Sequence, residues 1–236
     1  MGFCLLSSLW ICAFFYTEEV AVRLLATFLL LLSVLTSSVR GNDWLIVPGV
    51  RAGVIQGGVS ETGLRTILGR DNLRRDTIST GEGAQESGVI AFPGESTQRL
   101  EIWFSPNRGV ETVRIKGDKS LWKFEGGLTL GTTLKQLEVW NGRPFQISGW
   151  GWEFAGAVMS WQGGELESSF PVGVLGQRVW MRLTAPNRVW RDLGEVEGGS
   201  LMGSEAHLSS EPAIQKLNPK VSIITVQLAE LATRPK

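Results

Sequence analysis

Past residue 41, apolar and polar positions alternate in short runs. Leu100, Ile102 and Phe104 alternate with Arg99, Glu101 and Trp103, and Val179, Met181 and Leu183 alternate with Arg178, Trp180 and Arg182. A period of two puts one set on a buried face and the other on the opposite face, as in antiparallel strands. Further strands are expected at 44–47, 89–92, 112–116, 121–124, 144–154, 157–161 and 221–228, with 165–170 returning as a hairpin against 157–161. Two segments switch to the helical period. Residues 61–68 follow the capping residue Ser60, carry Leu64, Ile67 and Leu68 on one face and stop at Gly69. Residues 134–141 follow Thr133, with Gln136 placed to complete a capping box, and stop at Gly142. A short helical turn is expected at 212–217. Residues 191–211, rich in Gly, Ser and Glu, are expected to form a mobile loop. The pattern predicts an α+β fold that is mainly β: an antiparallel sheet with two short helices.

The two helical segments resemble each other. A shift of 73 residues carries Gly58, Ser60, Leu64, Gly69 and Arg70 onto Gly131, Thr133, Leu137, Gly142 and Arg143, with four of the thirteen positions from 58 to 70 identical. Each is followed by strand signals. This suggests a tandem duplication of helix-plus-meander units at about 52–124 and 125–190, within one domain spanning 43–236; chance likeness between two capped helices is the alternative.

The first 38 residues form an apolar leader. Arg23, the twelve-residue run Leu24 to Leu35 and the small residues Thr36, Ser37 and Ser38 have the order of a signal peptide. Twelve helical residues rise about 18 Å, short of a bilayer core of about 30 Å. The preceding apolar stretch, Gly2 to Tyr16, carries Glu18 and Glu19 after it. Either translation starts at Val20 or Val22, or both stretches anchor the protein in a membrane. The expected location is secreted or periplasmic, with the membrane-anchored form as the alternative.

Composition narrows the chemistry. The 23 basic and 23 acidic residues cancel, and no basic face suggests a nucleic-acid partner. The two cysteines, Cys4 and Cys12, both lie in the leader, and His207 is the single histidine. No cysteine nucleophile, serine elbow or set of metal ligands is evident after the leader, so neither a catalytic residue nor a metal or other cofactor is assigned. Glu153 and Glu165 flank one expected hairpin and are the candidate carboxylate pair for glycan cleavage. Nine of the ten tryptophans fall after the leader. On a strand through 149–154, Trp150, Trp152 and Phe154 would share one face, either as core or as an exposed row that stacks on sugars or a partner. The candidate binding residues are therefore Trp150, Trp152, Glu153 and Glu165.

The segment from Leu137 to Trp161 resembles an uncharacterised family of exported bacterial proteins. The likeness lies in Asn141-Gly142, Pro144-Phe145 and the run Gly151-Trp152-Glu153-Phe154-Ala155-Gly156, with Glu153 where that family usually has Asp. A fainter likeness, limited to residues 58–69 and 131–142, is to the helix-plus-meander units of β-lactamase inhibitor protein. The first implies export; the second implies binding to proteins. The expected function is non-enzymatic binding of a protein or cell-envelope component, with carbohydrate binding or cleavage as the alternative.

Overall fold

A computed structural model describes residues 43–228 except 82, 107, 153 and 171–178. The fold is α+β and mainly β. Among the described residues, no helix is long and apolar enough to cross a membrane. The leader and Glu153 lie outside the described residues.

Three short strands open the domain: β1 (Leu45–Val47), β2 (Arg51–Ala52) and β3 (Ile55–Gln56). With β8 (Lys123–Phe124) they make a four-stranded sheet ordered β3-β2-β1-β8. Helix α1 (Glu61–Leu68) follows, with the Ser60 hydroxyl accepting from the Gly63 amide. A four-strand meander comes next: β4 (Leu73–Gly81), β5 (Ala84–Ala91), β6 (Leu100–Ser105) and β7 (Gly109–Lys116).

The chain then forms α2 (Leu134–Asn141), whose Thr133 and Gln136 complete the expected capping box and whose Gly142 is left-handed at φ 70°. Strands β9 (Gln146–Ser148) and β10 (Val158–Ser160) follow, then a single helical turn, α3 (Leu166–Ser169), then β11 (Val179–Thr184). The expected strand at 165–170 is thus helical, and β10 pairs with β9 instead. Helices α4 (Asn187–Leu193) and α5 (Glu195–Ser200) and strand β12 (Ala206–Leu208) occupy the segment expected as a loop. Leu193 and Leu201 bury themselves in the core there, and β12 pairs with β9, so tertiary contacts override a Gly- and Ser-rich composition. Helix α6 (Pro212–Leu217) and strand β13 (Lys220–Gln227) complete the described chain.

The main sheet is antiparallel throughout, in the order β11-β13-β7-β6-β5-β4. Its inward side chains, among them Ile102, Val113, Ile115, Met181, Ile224 and Val226, are buried in one apolar cluster with Leu64 of α1 and Leu134 and Leu137 of α2. Period-two alternation in the strands and period-3.6 alternation in the helices deliver these residues to the same core. A second sheet, β10-β9-β12, is joined to the main one by the Ala157–Arg182 bridge and by the Leu183 amide donating to Gly156 O at 2.8 Å.

The pairing is repeated on the two sides of the β7–β13 seam. Arg114 faces Thr225 at the middle of that seam, with Val113 opposite Val226 and Ile115 opposite Ile224. Moving outward, Glu101 faces Arg114 on one side and Trp180 faces Thr225 on the other. Each outer pair then has a bulge, between Trp103 and Phe104 and between Arg182 and Leu183, after which Phe104 faces Val110 and Leu183 faces Val221. The helix entries match too. Gly58 N donates to Val110 O and Val110 N to Val59 O, both at 2.9 Å; Gly131 N donates to Val221 O and Val221 N to Thr132 O, both at 2.8 Å. The strand that corresponds to β7 is therefore β13, which lies beyond residue 190, and the segment carrying α4, α5, β12 and α6 falls between β11 and β13.

Candidate functional site

Alternation sends Glu101, Trp103, Arg114, Lys116, Trp180, Arg182, Ile223 and Thr225 to the face of the main sheet opposite the core. This face is not an ordinary solvated surface. Glu101 is fully buried on it. Arg114 Nε lies 2.7 Å from Glu101 Oε2, Lys116 Nζ 3.1 Å from Oε1 and Arg99 Nη2 3.3 Å from Oε1. Burial alone would raise the Glu101 pKa, but attraction and hydrogen bonding from Arg114 and Lys116 outweigh it and hold the carboxyl below its ordinary value. Arg114 also donates to Ser79 O at 2.7 Å, which ties the end of β4 to this face, and its guanidinium carbon stands 4.7 Å from the centroid of the Trp103 ring.

Two clefts open beside this network. One, of about 570 Å³, is lined by Ser79, Thr80, Gly81, Arg114, Lys116, Phe154, Trp180, Arg182 and Ile223. The other, of about 450 Å³, is lined by Trp150, Gly151, Trp152, Ala155, Arg182, Asn187, Trp190 and Met202. Arg182 belongs to both. Its Nε donates to Ala155 O at 2.9 Å. Among the described residues it has no carboxylate partner.

The aromatic residues expected on one strand face are instead distributed around a set of tight turns. Trp150 is buried and packs edge-on against Trp190, centroids 5.2 Å apart; Trp152 is half-buried and meets Phe154 at 5.3 Å; Phe154 is exposed. The expected strand ends at Ser148 because Gly149 backs directly onto the chain at Leu201–Gly203. A Cβ there would lie 2.6 Å from Gly203 O. Gly151 and Gly156 then take φ of 87° and 70°, which turns the chain rather than extending it. Trp150 is accordingly core, Trp152 and Phe154 face a cleft, and the Trp150 indole N–H has no acceptor among the described residues.

Gly156 is the tightest of these positions, since a Cβ on it would sit 2.1 Å from Leu183 O and 2.9 Å from Trp150 Nε1. We expect Gly156→Ala to cost roughly 3 kcal/mol or more, from left-handed strain plus overpacking against backbone. Urea unfolding checks this; a change of less than about 1 kcal/mol would show that the two sheets do not depend on this approach.

Glu165 does not join the site. It is exposed, lines neither cleft and stands beside the end of α2, with its amide donating to Asn141 O at 3.0 Å. The expected pairing of Glu153 with Glu165 across a hairpin loses its hairpin, because the Glu165 side of it is the turn leading into α3. His207 is not on a loop but on β12 opposite Ile147, with Nδ1 3.1 Å from Glu211 Oε2 and Nε2 without a partner among the described residues. At α1, Glu61 binds both Arg65 of the same helix and Arg75 of β4.

Trp180 and Arg182 are visible in the sequence as one set of an alternating strand, a position that ordinarily means solvent, and Arg114 and Lys116 fall in the strand expected at 112–116 with no face assigned. The signal of something more is a tryptophan in each outward set, Trp103 and Trp180, which pure solvation does not call for. Comparison with known proteins finds no match: no family model, no curated protein and no solved structure is significantly similar to this chain.

Proposed function

We propose that this is an exported, non-enzymatic binding domain that takes a protein or cell-envelope component on the outer face of its main sheet. The observation that carries this reading is the pair of aromatic-lined clefts meeting at Arg182, next to a rigid ion network that preorganises the face. Export is supported by the order of Arg23, the apolar run and the small residues in the leader. We further propose that the chain is a duplication, on the strength of the matched bulges, seam register and helix entries. Under that reading, two helix-plus-meander units share one sheet, the cleft lined by Ser79, Arg114 and Arg182 lies where they join, and the cleft at Trp150 and Trp190 belongs to the second unit.

The test is site-specific photocrosslinking in an envelope fraction of the producing cell. A photoreactive residue at Phe154, exposed beside both clefts, is expected to capture a discrete species that the same probe at Val139, exposed on α2, does not. Identical patterns at the two positions, or none at Phe154, overturn the reading.

Carbohydrate binding is the second reading. Trp152, Phe154, Trp180 and Trp190 favour it, because sugar rings stack on aromatic faces. It predicts a shift of tryptophan fluorescence on titration with neutral polysaccharides, and the absence of any shift argues against it.

A further inference from the structure

The two sides of the seam match in backbone but differ in charge. Where one side carries Glu101, the other carries Trp180; where one carries Trp103, the other carries Arg182; where one carries Arg114, the other carries Thr225. On the first side the cations converge on a carboxylate of their own. On the second side the carboxylate is replaced by an indole and its arginine partner by a threonine, while Arg182 stands where the first side has Trp103, with Nε anchored on Ala155 O and its two terminal nitrogens directed to no acidic group among the described residues. Across the same cleft, Lys116 is 43% exposed and shares Glu101 with Arg99 and Arg114. Three cations, Arg114, Lys116 and Arg182, thus line a cleft whose lining contains no acidic side chain among the described residues.

We propose that Arg182 is the anchor for a carboxylate of the ligand, and that the ligand is an acidic peptide segment of a protein partner; this rests on the outer face being the binding surface. A half-buried guanidinium held at Nε presents its remaining N–H groups as a fork, the geometry a carboxylate accepts. The rest of the lining is that of a protein-binding surface. Trp152, Trp180, Trp190 and Met202, with Ile223, surround the arginines, and tryptophan, methionine and arginine are the residues enriched at the energetic centre of protein interfaces. A glycan site calls for several carboxamide or carboxylate groups to bind hydroxyls, and the described lining of the two clefts offers Asn187 alone.

The experiment is selection of a displayed random-peptide library on the immobilised protein, on Arg182→Gln and on Arg182→Lys, with thermal melts confirming that each is folded. The wild type is expected to enrich peptides containing Asp or Glu, and changing that acid to its amide is expected to weaken binding about tenfold. Arg182→Gln is expected to lose the acidic preference, and Arg182→Lys to keep part of it, because the charge remains while the fork is lost. Enrichment with no acidic preference, or the same preference in Arg182→Gln, overturns the proposal. If the library yields nothing while oligogalacturonate shifts the tryptophan fluorescence of the wild type and not of Arg182→Gln, the anchor holds a sugar acid and the peptide assignment falls. Crosslinking at Phe154 separates the two levels. A partner captured there without acidic preference removes the anchor and leaves the binding face; capture of nothing removes the face itself.

Discussion

Glu101→Gln is expected to destabilise the protein by about 3 kcal/mol at neutral pH, more than its place on the outer face of a sheet would suggest. Removing one partner from a buried ion group leaves the others uncompensated, at a cost of about 3–5 kcal/mol when the site is fully enclosed. Here Glu101 is buried and Arg114 is 12% exposed, while Arg99 and Lys116 reach solvent at 29% and 43%, which places the cost toward the lower end. The effect has a signature in pH. The folded Glu101 pKa lies below its ordinary value of 4.5, so its contribution is fully present above that value and is lost as pH falls through the folded one. The stability gap between wild type and Glu101→Gln is therefore expected to be constant from pH 7 to about 5.5 and to shrink in acid. Asp43 and Glu61, whose carboxyls are also held low by hydrogen bonds, titrate alike in both proteins and cancel from the difference. Urea unfolding across pH measures it, and a gap that persists unchanged at acid pH would mean that the charge on Glu101 is not what the network uses.

Trp161→Ala is expected to cost roughly 3–5 kcal/mol, a large share of the roughly 5–15 kcal/mol that holds a typical domain folded. Trp161 is wholly buried, its ring lies 5.1 Å from that of Phe145, and its Nε1 donates to Phe170 O at 2.6 Å. Its own carbonyl accepts from Asn141 Nδ2, so the residue fastens the end of α2 to the approach to α3. Trp161→Phe keeps most of the volume and loses the indole donor, and is expected to cost less than half as much. Equal losses in the two variants would move the weight from packing to the hydrogen bond.

The parts of this molecule that sequence made legible are those fixed by neighbours along the chain. Ser60 and Thr133 act on amides three residues away, and β6, β11 and β13 declare themselves by alternation. Strand β4 was missed because its sequence, LRRDTISTG, is polar on both faces; its register comes from β5 and its end is held by Arg114. Helix α5 contains Gly198 and Gly199, poor helix formers that persist because Leu193 and Leu201 on either side are buried. The proposed binding face is half legible. Its residues could be placed on the outward side of strands, but the meeting of Arg182 with Trp152 and Trp190 depends on glycine turns and on the close approach of Gly156 to Leu183. Neither leaves a periodic trace.

The β7–β13 seam also bears on how the chain reaches its folded state. Every residue of β7 emerges from synthesis long before its partner in β13, and contacts this far apart in sequence are closed late and slowly. Until β13 arrives, one edge of β7 is open, and the entry to α2 lacks the Val221 amide and carbonyl that fasten it. Closure of the seam is thus the contact through which each side of the sheet gains support that its own stretch of chain does not supply.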